Sequence, residues 1–272
     1  MMKRARGVTL VEMIVTIVVL GIVAGIISMF IRVPIDSYID AGRRARLTDA
    51  ADLALRRMTR ELRLALPNSV RVTNVGTVVY IEFMLTREGG FYRAQPTAAP
   101  GTEDILDFGS ADNTFQIFAS SNAIGATDWI AIANLGSGSG SDAYAGDNIV
   151  RVSAFNAGTG VLTLAAATLF PVPAPDQRFQ VVTDRVTYEC DPATGQLRRH
   201  AGYGIVLASA AQPTPPAGGT QSLMVDRVLG CTFVYDANVS NVRTGIVSLS
   251  LTLGEAGESV TLFHQVHVSN AS

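Results

Sequence analysis

Few residues of this chain are of a type and spacing that could do chemistry, and the most unusual is a carboxylate, Glu12. A cation cluster (Lys3, Arg4, Arg6) and Gly7 precede it, and an uncharged apolar run from Met13 to Ile31 follows it. A carboxylate at the rim of a hydrocarbon phase is costly, ~2.5–3.5 kcal/mol for Asp at mid-membrane and less near the edge. Either Glu12 reaches the headgroups or a partner charge neutralises it. The histidines, His200, His264 and His267, are too few and scattered for a zinc site. His264 and His267 stand an odd number of positions apart on an expected strand, so they should face opposite sides. There is no Gly-x-Ser-x-Gly elbow and no paired-Cys metal motif, so no catalytic residue, metal or cofactor is expected. Asp142, Asp147 and Asn148 have calcium-ligand chemistry, but solvated loop acids are the better reading. The run from Gly136 to Ser141 lacks the Lys-Ser/Thr and following helix of a phosphate loop.

The element that positions Glu12 is the apolar run itself. Nineteen residues from Met13 to Ile31, bounded by Glu12 and Arg32, span roughly 28 Å as a helix, close to a bilayer's hydrocarbon thickness. The cations of the short N-terminal segment hold it on the cytoplasmic side, so the remainder is translocated. A cleaved secretory signal would have a shorter apolar core and a small-x-small site after it, whereas Phe30-Ile31-Arg32-Val33-Pro34 is bulky. A plain signal anchor fits length and charge but leaves Glu12 unexplained.

Helical periodicity continues from Ile35 to Leu66. Leu47, Ala51, Leu55, Met58, Leu62 and Leu66 recur at steps of three and four, and Arg43, Arg44, Arg46, Arg56, Arg57, Arg60 and Arg63 occupy much of the remaining surface. Asp52 precedes Arg56 by four positions, the favourable order for an ion pair. Pro67 stops the helix. So long a helix needs a partner surface for its outer half, and the chain's own C-terminal region is the obvious one. Gly21, Gly25 and Pro34 read either as ordinary membrane-helix composition or as points of bending. The arginine face reads either as solvated or as pairing with acids of neighbouring subunits or anionic headgroups.

Beyond Asn68 the period changes to two. Strands are expected over Ser69–Thr73, Val78–Thr86, Asn113–Ala119, Asp128–Ala133, Asn148–Phe155, Gly160–Leu164, Phe179–Cys190, Gln196–His200 and Arg227–Tyr235. A terminal hairpin, Gly245–Leu253 with Ser259–Val268, closes the chain. Trp129 and Phe179 read as core residues. Ala94–Gly101, Gly136–Gly146 and Ala208–Gly219 read as surface loops, the second with a flexible Gly-Ser run. One long helix followed by many strands makes an α+β architecture with mostly antiparallel pairing.

At 272 residues and 48% hydrophobic composition the chain can bury a full-sized core, and a net charge of −2 gives no support for a nucleic-acid partner. Cys190 and Cys231 lie in the part expected to leave the cytoplasm, where an even pair reads as one disulfide, the alternative being two buried thiols.

Gly7-Val8-Thr9-Leu10-Val11-Glu12, set between a basic leader and a membrane-length helix, resembles the processing site of type IV prepilins. Val8 stands where that family most often has Phe. The resemblance implies cleavage between Gly7 and Val8 by a peptidase that also methylates the new amine of Val8. It implies that Glu12 pairs during assembly with the terminal amine of a neighbouring subunit, and that the helix packs on a β-sheet head. Residues 1–7 would be the cytoplasmic leader, 8–66 the helix (transmembrane about 13–31) and 67–272 a periplasmic head. The stretches 186–199 and 225–236 and the terminal hairpin resemble J-type minor pseudopilins of type II secretion and, more closely, minor pilins of the MSHA pilus, a similarity strongest over residues 7–72, in the stretches 32–36 and 64–72, and resuming over 186–268. The implied partners are the prepilin peptidase/methyltransferase, other pilins or pseudopilins and the inner membrane. The rival is a membrane-anchored periplasmic ligand-binding protein, which would retain residues 3–7.

Overall fold

A computed structural model describes residues 7–96, 103–118, 124–205, 207, 218–237 and 244–271. The leader cations, and most of the 94–101 and 208–219 loops, lie outside the described residues. One helix, α1 (Leu10–Leu62), precedes twelve strands. They are β1 (Arg71–Val75), β2 (Val78–Tyr92), β3 (Asp112–Phe118), β4 (Trp129–Ile132), β5 (Ile149–Asn156), β6 (Val161–Thr168), β7 (Arg178–Asp191), β8 (Gln196–Ala201), β9 (Thr220–Asp226), β10 (Val228–Asp236), β11 (Thr244–Glu255) and β12 (Glu258–Ser269). The α+β class expected above is the one observed, with every strand pairing antiparallel.

Helix α1 has 53 residues, roughly 80 Å of rise, and Pro34 lies inside it. Its two halves live in different surroundings. Leu47 is its first buried residue, and from there Ala51, Ala54, Leu55, Met58 and Leu62 are all buried. Before Leu47 about 55 Å of helix has no buried side chain among the described residues. The expected apolar stripe therefore forms, with one exception. Leu66 is buried but not helical, and packs with Met84, Ala131 and Tyr144 instead.

The helix ends four residues earlier than Pro67 alone would dictate, because its last carbonyls and the next amides find other partners. The Leu64 and Ala65 amides donate to Glu61 and Leu62 carbonyls at 2.9 and 3.1 Å, tightening the final turn. The chain then bonds to β2: the Leu66 amide donates to Met84 O and the Thr86 amide to Leu64 O, both at 2.8 Å.

The strands make two sheets. Nine are hydrogen-bonded in the order β1-β2-β3-β6-β5-β4-β7-β8-β9, and β2 also pairs with β7. That extra pairing closes β2-β3-β6-β5-β4-β7 into a six-stranded ring, filled by Tyr92, Phe115, Ile130, Leu162, Phe179 and Val181. The near ends of β2 and β7 instead carry Ile81, Phe83, Val186 and Tyr188 to the helix. Irregularities of register between Leu85 and Glu88 mark where β2 turns from one role to the other. The second sheet, β10-β11-β12, presents Val247, Leu249, Leu251, Val266 and Val268 to the same stripe of α1. Its hairpin turns on Ala256 and Gly257, both left-handed, the geometry a two-residue turn needs.

Three polar devices fasten α1 between the sheets. Glu61 Oε2 accepts from the Tyr188 hydroxyl and from Arg199 Nε, each at 2.8 Å. Arg44 pairs with Glu258 at 3.3 Å. Asp52 pairs with Arg56 at 2.6 Å, as its spacing suggested, and also faces His264 at 3.4 Å. A disulfide between Cys190 of β7 and Cys231 of β10 joins the two sheets.

Several elements differ from expectation. Strand β9 was not expected, because Thr220-Gln221-Ser222 gives no apolar alternation. Arg227 is not a strand start but a left-handed corner (φ 61) at which the chain leaves the larger sheet for the smaller. The Gly136–Gly146 segment is ordered rather than loose: Gly136 bridges Ser141, Ser141 and Ala143 are buried, and the Tyr144 hydroxyl donates to Ser69 O at 3.0 Å. Trp129 is half-buried, whereas Phe179 is fully buried.

Reducing the disulfide, or replacing both cysteines with serine, should lower stability by ~2–4 kcal/mol, seen as a fall in the denaturant midpoint of the detergent-solubilised chain. Glu61→Ala strips the acceptor from Tyr188 and Arg199 and should cost ~2–3 kcal/mol in the same assay. Burial, followed by the nearby Glu61 carboxylate, pushes the Tyr188 phenol well above the ordinary tyrosine value of 10.0. A raised folded value means that this stabilisation is complete below the unfolded value and is lost as pH climbs from there towards the folded one. Tyr188→Phe should therefore show a smaller drop in urea midpoint between pH ~9 and pH ~11 than the parent.

Candidate functional site

The start of α1 is built by a short polar device. Thr9 is the N-cap, with extended backbone (φ −80, ψ 150), and its hydroxyl accepts the Glu12 amide at 3.3 Å. The Thr9 carbonyl accepts the Met13 amide at 3.2 Å. Thr9-x-x-Glu12 is the spacing of a capping box, a signal that was readable in the sequence and overlooked. Glu12 consequently occupies the first turn, at the positive end of the helix dipole, where a carboxylate is favoured. Val8 sits one residue before the cap, and Val8 and Glu12 are both exposed.

Gly7 is informative for what does not surround it. Among the described residues a Cβ built there would meet nothing within 4 Å, so none of them requires glycine at position 7 for space. The same openness holds at Gly21 and Gly25. Inside the apolar run, Thr16 returns its hydroxyl to Met13 O at 2.9 Å, so that run offers lipid no unsatisfied side-chain donor there.

Gly7, Val8, Thr9 and Glu12 thus lie together at an exposed helix start, far along the chain from the other residues singled out. Cys190 and Cys231 are bonded to each other within the head. Asn148 is fully buried and its amide donates to Ile132 O at 3.0 Å, while Asp142 accepts the Tyr144 amide at 3.0 Å. Among the described residues no group of three or more His, Cys, Asp or Glu side chains could hold a metal ion. His200 is buried against Glu189 at 2.7 Å, His264 faces α1, and His267 is exposed on the opposite side of β12. The sheet thus separates the last two as their spacing required.

By length and composition α1 is able to cross a membrane. Residues 2–28 match the model of the prokaryotic N-terminal methylation motif. No curated protein and no solved structure matches the chain. The motif indicates a precursor of the type IV pilin or pseudopilin kind, a group that is generally structural. It implies processing by a prepilin peptidase and assembly with other pilins.

Thr9→Ala removes the cap and should weaken the first turn by ~1 kcal/mol. Hydrogen exchange in detergent micelles would register this as faster exchange of the Glu12 amide, with amides beyond the second turn unchanged.

Proposed function

We propose that this chain is a structural subunit of a pilin-type filament, cut between Gly7 and Val8 and N-methylated at Val8. It then assembles through α1 while Glu12 neutralises the terminal amine of a neighbouring subunit. The observation that carries this reading is the methylation motif lying on an exposed helix start whose glycine no described residue requires for space. A carboxylate that enters the apolar phase beside a newly made cation removes two desolvation penalties at once, whereas either alone would be expensive. The chain resides in the inner membrane with a periplasmic head before joining a filament.

At the finer level, the resemblance of residues 186–199 and 225–236 favours a minor subunit of the MSHA pilus kind, akin to MshO, or of a type II secretion pseudopilus. The head adds a six-stranded ring to the sheet that holds the helix. So bulky a head packs poorly in a repeated shaft, which favours the tip.

Intact-mass analysis of the membrane-extracted protein is the test. The expected species lacks residues 1–7, carries one added methyl and is two hydrogens lighter through Cys190–Cys231. Lys3 is the only lysine of the chain, so the processed species should take up a single amine-directed label, at Val8. Gly7→Ala should leave the fold intact and abolish cleavage, and Glu12→Gln should be cleaved yet enter filaments at least tenfold less. Retention of residues 3–7 in the parent would mean a tethered periplasmic protein instead.

A further inference from the structure

The face of α1 turned away from both sheets carries a pattern that the N-terminal motif does not explain. Leu53 is 72% exposed there, although buried Ala54 and Leu55 adjoin it. At 3.6 residues per turn its neighbours are Arg46, Asp49, Arg56 and Arg60, all exposed, and half-buried Arg57, which pairs with Glu61 at 3.4 Å. Arg56 pairs with Asp52, but among the described residues the side chains of Arg46 and Arg60 meet no acid. Asp49 is the one acid on this face. Asp36 and Asp40 fall by helical phase on the side of Leu47 and Met58, so they leave the arginines unanswered.

We infer that this arginine-ringed leucine is a docking face for the acidic surface of a different pilin-type subunit. The inference rests on the filament reading above, since the unpartnered lower half of α1 is what brings neighbours alongside it. Three occupants are distinguishable on physical grounds. Anionic headgroups lie too low: Arg46 stands fifteen residues beyond Ile31, about 22 Å along the helix, while the headgroup layer extends only ~5–8 Å past the hydrocarbon. A second copy meeting this face with its own, helices parallel, would set arginine against arginine, with only Asp49 to offset the repulsion. A chain of another kind, with carboxylates facing this stripe, satisfies both the charges and the apolar centre. Arginine, of which this face carries several, is enriched at interfaces relative to the rest of a protein surface.

The test uses the full chain in its native membrane, beside the pilin-type subunits the cell itself makes. Leu53→p-benzoylphenylalanine supplies a photo-crosslinker at the centre of the face, and the adduct is identified by mass spectrometry. The expected adduct is with a different pilin-type chain, through a segment bearing at least two carboxylates. Its yield should fall at least tenfold with Arg46→Glu and Arg60→Glu together, and be restored by acid-to-arginine changes in the partner's crosslinked segment. Those two substitutions touch no bonded group, so the Cys190–Cys231 disulfide should form as before and the thermal midpoint should fall by no more than about 4 °C, the cost of an acid in the last turn of α1. An adduct with a second copy, with lipid or with an unrelated protein overturns the proposal. So does an absent adduct, or a yield indifferent to the charge reversal. The N-terminus of the same sample separates the two ideas: a chain beginning at Val8 keeps the filament reading even if the docking face fails, and one beginning at Met1 removes it.

Discussion

Burial of one narrow apolar stripe, Leu47 to Leu62, is the constraint from which the rest of this molecule follows. A helix of 53 residues, like any helix in a folded protein, draws most of its stability from packing an apolar face rather than from its own hydrogen bonds. Only its last four or five turns find protein on which to pack, and two sheets from opposite ends of the sequence converge to supply it. The C-terminal hairpin, last in the chain, is thus as necessary to the helix as the strands that directly follow it. The polar contacts of Glu61, Arg44 and Asp52 sit at the margins of the stripe, where they fix the rotation and the height of the helix as well as adding to its hold on the sheets. The disulfide keeps the two sheets from parting and exposing what they cover.

The same helix answers to two solvents. Its outer half is amphipathic in the manner of a globular protein, while its inner half is apolar all round and, among the described residues, has no side chain buried within the chain before Leu47. The change occurs along one continuous element, through Pro34, whose missing amide leaves one backbone carbonyl without its intrahelical partner. Whatever surrounds the inner half must satisfy it by apolar contact, save at that carbonyl and at the first turn, where Thr9 and Glu12 gather the polar groups into one place.

Much of this was legible because the signals were local. The buried face of α1 follows from spacing, the terminal hairpin from alternation around Gly254–Gly257, and the opposed histidines of β12 from parity. The misreadings came from contacts between distant segments. The end of α1 is decided by hydrogen bonds from Leu64 and Leu66 to a strand some twenty residues on, which no capping residue advertises. The Gly-Ser run near residue 140 is ordered because Asn134, itself buried, accepts the Ala143 amide at 2.9 Å and donates to Pro67 O at 2.5 Å. Composition of the run alone could not reveal that anchor. Strand β9 lies at a sheet edge and opens on three polar residues, and the six-stranded ring needs β2 and β7, nearly a hundred residues apart, to meet twice.

That double meeting has an architectural consequence. At the irregular register around Leu85 and Thr86 the pairing of β2 with β7 is already complete on the helix side, where Ile81 faces Tyr188 and Phe83 faces Val186. Everything from Arg87 to Val181 therefore forms an insertion with no share in the stripe, touching the holder beyond this point where Ala131 and Tyr144 pack on Leu66 and where Asn134 and Tyr144 bond Pro67 and Ser69. The strands β1-β2-β7-β8-β9 that clasp the helix are continuous without it. The head is in this sense a holder with an ornament, free to diverge in size and surface wherever those few contacts below Leu66 are kept.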